Sequence, residues 1–380
     1  MISFHSIMTL GTKASIGLSL CIGLLITAPT AAQNDIILRG DNKHISKCKI
    51  LKLEIDKVSY MKGGKEQEIL VSRISGFRFG NIPESFTRGQ SAENRTDYAN
   101  AGKLFAECAA AAKDGPIKNS ANFFAGRAFS LQAENDSAHA NTAVAALETY
   151  LAANPNGYYM PEAQVRLAKA RLAGGDAAGA EVMLAGMVST ATSGRWPLRW
   201  VTHIQQTLGT AQYAQQKYAA ARSSFQGVAG SADSAMGQDN RHNVELTAIK
   251  TNSLVMQGET FIGEKMLNEA LSYFQNLSNS TAKGVKAAAH AGQGQILFLQ
   301  GASDATKLRQ AQVALAKASI EPDTSDSTSA KALFFMGKVL TALGDKEKNA
   351  LARAKTYFQS VTKYYPKTPW ASKASRELDG

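Results

Sequence analysis

Residues 208–228 read LGTAQYAQQKYAAARSSFQGV. Tyr218, Ala221, Phe225 and Val228 recur at spacings of three and four, which places them on one face of a helix. Leu208-Gly209 lies upstream, and Gln215-Gln216-Lys217 forms a polar break between the two groups. A small residue is needed where two antiparallel helices cross closely, and a large one fills the adjacent groove. The stretch therefore predicts a helix pair in which Gly209 and Ala221 mark the crossing and Phe225 fills it.

The same order of small, large and apolar residues recurs along the chain. It appears at Ala101, Phe105 and Cys108, at Ala143, Leu147 and Tyr150, and at Ala180, Leu184 and Met187. It continues at Gly263, Leu267 and Ala270, at Ala311, Leu315 and Ala318, and at Ala354, Phe358 and Val361. With Ala221 included, the small anchors are about 42 residues apart on average. Partner helices show as Leu167-Ala168 and Met336-Gly337. The turns that follow them, Gly174-Gly175-Asp176 and Gly344-Asp345, suit a helix stop and the next cap. All of these small and apolar residues read as core positions rather than as a binding site.

These residues resemble the tetratricopeptide repeat family. The match is best over Leu208-Gly209, Tyr218, Ala221 and Phe225. It extends to Met336-Gly337, Ala354, Phe358 and Pro366, and to Ala168, Ala180 and Leu184. It spans residues 92–380, with a period longer than the usual ~34 residues, and the fifth and sixth copies lack the usual aromatic. The junctions Tyr365-Pro366-Lys367-Thr368-Pro369-Trp370 and Asn154-Pro155-Asn156-Gly157-Tyr158-Tyr159 look like those of repeats in exported bacterial envelope proteins. The resemblance implies an α-solenoid that holds protein partners or peptide segments on the concave surface lined by the first helix of each pair. Polar residues on those helices are the candidate contacts: Arg166, Lys169, Gln205, Gln212, Asn252 and Lys338.

Residues 33–82 differ in kind. They are poor in alanine and rich in β-branched residues, with turn compositions at Arg39-Gly40-Asp41-Asn42 and Gly63-Gly64. Four or five short strands are expected. Their rhythm of a short strand, a turn, a long bent strand and a hairpin looks like that of small SH3-like or Sm-like barrels. Lys43, Lys47, Lys49, Lys52 and Lys57 give the segment a basic surface. Its bland reading is a solvated face, and its functional one is contact with an anionic envelope polymer or lipid head group. No aromatic stacking platform is evident, so no nucleic acid is expected as a partner.

Residues 1–32 carry one charged side chain, Lys13, then an apolar run from Ile16 to Ile26, then Pro29-Thr30-Ala31-Ala32. This pattern predicts a signal peptide cleaved near Ala32, or else a retained anchor, and places the mature chain outside the cytoplasm. Two cysteines then remain, Cys48 and Cys108, as a bridge or as two buried thiols. The formal charge is +11.

The chain lacks a His-Glu-x-x-His motif, a Gly-x-Ser-x-Gly elbow, a phosphate loop and paired-cysteine metal spacing. The histidines are scattered, and Trp196 and Trp200 flank Pro197 as packing residues at a helix start. The expectation is a mostly α, non-catalytic protein without metal or cofactor, an α-solenoid of helix pairs behind a small β-rich module. Two rivals stand beside it: a binder of anionic surfaces, and an enzyme with its site between the β module and the first helices.

Overall fold

The computed structural model describes residues 35–193, 196–280, 282, 284–301 and 303–379. The expected leader, residues 1–32, lies outside the described residues. Five strands come first: β1 (Asp35–Arg39), β2 (Ile45–Leu53), β3 (Lys57–Lys62), β4 (Lys65–Leu70) and β5 (Ile74–Arg78), with a 3-10 turn at Val71–Arg73. They form one antiparallel sheet in the order β4-β3-β2-β1-β5. β2 is the long strand, and a register shift between Ile50 and Lys52 bends it. Gly63 and Gly64 turn the β3–β4 hairpin at φ +58° and +76°, values that side chains disfavour. Ile37, Cys48, Ile50, Val58, Tyr60, Ile69 and Ile74 give the sheet its own core. Cys108 is buried separately among the first helices, and both thiols are free, so no bridge links the two parts.

Seven helix pairs and a final helix follow among the described residues. The pairs are α1 (Glu84–Asn94) with α2 (Tyr98–Ala111), α3 (Gly115–Asn135) with α4 (Ala140–Ala153), α5 (Met160–Ala173) with α6 (Ala177–Ser193), and α7 (Leu198–Ala214) with α8 (Tyr218–Gln238). Next are α9 (Asn243–Gly263) with α10 (Leu267–Leu277), α11 (Val285–Gln300) with α12 (Ala305–Ile320), and α13 (Asp326–Leu343) with α14 (Ala350–Tyr364); α15 (Pro369–Asp379) ends the stack. Each helix packs on its neighbours in sequence, as a solenoid requires. Side chains of Asp97, Asp114, Asp304 and Ser325 accept from the first free amides of α2, α3, α12 and α13 and fix those starts.

The crossing read from residues 208–228 is present. A methyl group on Gly209 would come within 2.6 Å of the Phe225 ring, and Phe225 is fully buried. Gly89 faces Phe105 and Gly337 faces Phe358 in the same way.

The fifth copy differs from the sequence reading. Gly263 ends α9 and lies against Tyr218, while the buried small and large residues of α10 are Ala270 and Phe274. The interval from Gly263 to Leu267 crosses a helix end and the cap residue Met266, so it is not a helix face. Phe274 supplies the aromatic that this copy was expected to lack. The helical part also begins at Glu84, ahead of the alanine-rich region, because α1 packs on α2 with few alanines of its own.

The sheet lies along the edge of the stack where one pair passes to the next. Lys49 of β2 pairs with Asp114 at the α2–α3 corner. At the α4–α5 corner, the Ile55 amide donates to the Asn156 carbonyl at 2.9 Å, and the Tyr158 amide donates to the Leu53 carbonyl at 3.1 Å. At the α8–α9 corner, Arg241 Nη1 donates to the Ile74 carbonyl at 3.1 Å. An aromatic chain crosses the same junction: Phe77 meets Tyr158 at 5.0 Å, Tyr158 meets Tyr159 at 4.8 Å, and Tyr159 stacks on Phe123 at 4.4 Å.

Candidate functional site

The first helices of the pairs carry a ladder of charge. Glu93 of α1 takes Nε and Nη2 of Arg127 on α3 at 2.9 and 2.6 Å, and the same guanidinium lies 4.4 Å from the Phe124 ring centre. Glu134 of α3 accepts from Arg166 of α5 at 3.0 Å. His203 of α7 meets Glu245 of α9 at 2.9 Å. Lys331 of α13 reaches past α11 to Glu259 of α9, and Lys338 donates to Glu377 of α15 at 2.9 Å.

Lys169 of α5 breaks this pattern. It has no ion-pair partner within 4 Å among the described residues. Burial, joined by the neighbouring Arg166 charge, pulls its ammonium below the ordinary lysine value, and the nearby carboxylates of Glu134, Glu245 and Glu162 oppose that pull. A partly desolvated ammonium with no direct partner keeps donors that an acidic group can take.

The six candidates therefore have different surroundings. Arg166 sits beside Lys169 but is held by Glu134, with Glu162 at 3.8 Å. Gln205 accepts from Ser231 at 2.8 Å and Gln212 from Ser224 at 2.7 Å, so both fasten α7 to α8. Asn252 is exposed on α9. Lys338 fastens the last helix. The structure brings Arg166 and Lys169 together and leaves the other four apart.

A cluster at the N-terminal ends of α7 and α9 was not read from the sequence. Arg199 lies over the Trp200 ring at 4.6 Å and against His242, whose Nδ1 is 3.5 Å from Glu245. Trp200 also packs on His203 at 5.2 Å. Burial, then the Arg199 charge, lowers the His242 value, so its ring is neutral at neutral pH. The His203 hydrogen bond holds Glu245 at about 2, and Arg241 holds Asp239 at about 2. Both carboxylates ionise more readily folded than unfolded. Their contribution to stability is complete above the ordinary values of 4.5 and 3.8 and is lost as the pH falls toward 2. Glu245→Gln is expected to flatten the acid limb of a plot of thermal midpoint against pH. An acid limb as steep as that of the parent would show that the His203 pair does not act in the folded state.

Among the described residues, no group of three His, Cys, Asp or Glu side chains is placed to hold a metal ion, and no helix is long and apolar enough to cross a membrane.

No family model matches the sequence, and no curated protein matches it. Among solved structures, the chain is similar to a tetratricopeptide repeat protein from Parabacteroides merdae, at 12% identity over 78% of this chain and 96% of that one, with a TM-score of 0.52. The tetratricopeptide repeat domain of P58(IPK) aligns at 13% identity over 78% of this chain and 77% of that one, with a TM-score of 0.26. Yeast Tom70 aligns at 13% over 77% and 71%, with a TM-score of 0.23. The first of these carries the conclusion, which concerns fold: a tetratricopeptide-repeat-like α-solenoid preceded by a five-stranded sheet.

Proposed function

We propose that the chain is an exported, non-catalytic scaffold that binds a protein segment along the first-helix face, the concave side of the solenoid. The observation that carries this reading is Lys169, a cation without an ion-pair partner among the described residues, set between paired neighbours on that face. An acidic side chain of an extended partner segment would complete the ladder there. The envelope is the compartment implied by the leader pattern of residues 1–32. N-terminal sequencing of protein recovered from an envelope fraction is expected to begin near Gln33.

In-cell photo-crosslinking tests the binding reading. A crosslinker at Asn252 is expected to capture one or two proteins reproducibly at moderate salt. One at Val182, exposed on a second helix, is expected to capture none of them. Lys169→Glu should weaken that capture by about tenfold or more, since it places a like charge against an acidic partner. Equal capture from both positions, or capture untouched by Lys169→Glu, would refute the face. The rival reading, a basic surface on the β module, is weakened by two of its five lysines: Lys49 is spent on Asp114 and Lys57 on Glu68.

A further inference from the structure

A cleft of about 560 Å³ lies where the sheet meets the α8–α9 corner, distinct from the Lys169 position on α5. The β1–β2 turn contributes Arg39, Gly40 and Asp41, the 3-10 turn contributes Arg73, and the α8–α9 corner contributes Asp239 and Arg241. Three guanidinium groups thus share the lining with two carboxylates.

The carboxylates hold two of the arginines without exhausting them. Asp41 accepts from Arg39 Nη2 at 2.6 Å. Asp239 accepts from Arg241 Nε at 2.8 Å and from Nη2 at 2.5 Å, while the Ile74 carbonyl takes Nη1. A guanidinium has five N–H donors, so two of those on Arg241 remain available. Arg39 Nε is buried with no acceptor among the described residues. Arg73 is exposed and has no ion-pair partner among them. A side chain on Gly40 would press on the Arg241 guanidinium, with a Cβ at 3.1 Å from Nη1, so the bare backbone lets that group approach the turn.

We infer that this cleft binds an oxyanion, a carboxylate or phosphate group on a small or polymer-borne ligand. A buried donor without an acceptor, as Arg39 Nε is here, is costly and rare, and an anion at this turn would satisfy it. The planar fork of a guanidinium matches the paired oxygens of a carboxylate or phosphate. The internal carboxylates keep Arg39 and Arg241 in place before the ligand arrives, which lowers the ordering cost of binding. The volume lies within the range of small-ligand sites, about 300–1,000 Å³.

Calorimetric titration of the mature chain at low salt tests this, with inorganic pyrophosphate and trigalacturonate as probes. Saturable binding of pyrophosphate would assign phosphate as the group, and saturable binding of trigalacturonate would assign a polymer-borne carboxylate. Either result requires that Arg73→Ala weaken binding by about tenfold or more with the free protein's thermal midpoint unchanged. Lys265→Ala, in a separate cleft beside α10, should leave the affinity unchanged. Lys169→Glu should also leave it unchanged, which separates this site from the first-helix reading. Failure of both probes to saturate below about 10 mM, or equal weakening by Arg73→Ala and Lys265→Ala, would overturn the inference.

Discussion

Phe274→Ala is expected to lower the unfolding free energy by about 3–5 kcal/mol. Phe274 is fully buried in α10, and its ring lies between Gly258 of α9 and Gly292 of α11. Both glycines already bring their backbones against the ring, so neither helix can close much further on the vacancy. A cavity that cannot collapse keeps its full cost. The Lys331 ammonium, 5.9 Å from the ring centre, would lose its aromatic neighbour as well. In a solenoid each pair is stabilised by its neighbours on both sides, so the shorter C-terminal stack, which has no sheet against it, should lose structure before the part that carries the sheet. Trp370, packed on Phe334 at 5.5 Å, reports on that end, and Trp196 reports on the middle. Denaturant titration should show the C-terminal region unfolding ahead of the middle. A loss below about 1 kcal/mol, or coincident unfolding with no change in midpoint, would show that α9 and α11 do not meet around this ring.

Phe274 also marks how far the sequence could be read. Helix pairs were legible wherever a small residue and a large apolar one stood four apart inside one helix, as at Ala221 and Phe225 or Ala354 and Phe358. That signal is local, because both residues face the same crossing. It failed at Gly263 because a glycine that ends a helix has the same composition as a glycine at a crossing. α1 escaped notice because it is polar and poor in alanine, and its crossing residue Gly89 carries no helical signal.

The site was less legible, for a physical reason. Its pairs join residues about one repeat apart: Glu93 with Arg127 at a separation of 34, Glu134 with Arg166 at 32, and His203 with Glu245 at 42. Opposite charges at the repeat period on first helices were the available signal. It becomes usable only once each helix's rotation is known. Lys169 and Arg166 could be nominated by helix and by polarity alone, but so could Gln205 and Gln212, which turn toward α8. The junction residues had no signal of this kind, since the contact from Arg241 to Ile74 spans 167 residues.

Asp35→Ala is expected to be the most damaging polar substitution, at about 1–4 kcal/mol, from the buried Ile50 amide left unpaired at about 1–3 kcal/mol and the loss of the part-buried hydrogen bond from Gly80. Asp35 is 3% exposed. One carboxylate oxygen accepts from the Ile50 amide at 2.8 Å and the other from the Gly80 amide at 2.8 Å, with Lys49 Nζ at 3.9 Å. One side chain therefore joins β1, β2 and the link into α1, and it helps place the lysine that reaches Asp114, the cap of α3. Alanine removes every acceptor at once. An asparagine in place of the acid would keep one oxygen and set an N–H donor against the other amide, so Asp35→Asn should fall between the parent and the alanine variant. Hydrogen exchange locates the effect. Amides of β1, β2 and the α4–α5 corner should exchange faster, while those of α11 to α14 keep their protection. Loosening the sheet should also cost the oxyanion cleft its affinity, because Arg39 and Arg73 ride on the sheet and Arg241 does not. Capture through the Lys169 face should persist, because that face is built from helices alone. Uniform acceleration of exchange across the whole chain would mean that sheet and solenoid unfold as one unit, and the two binding surfaces would then fail together.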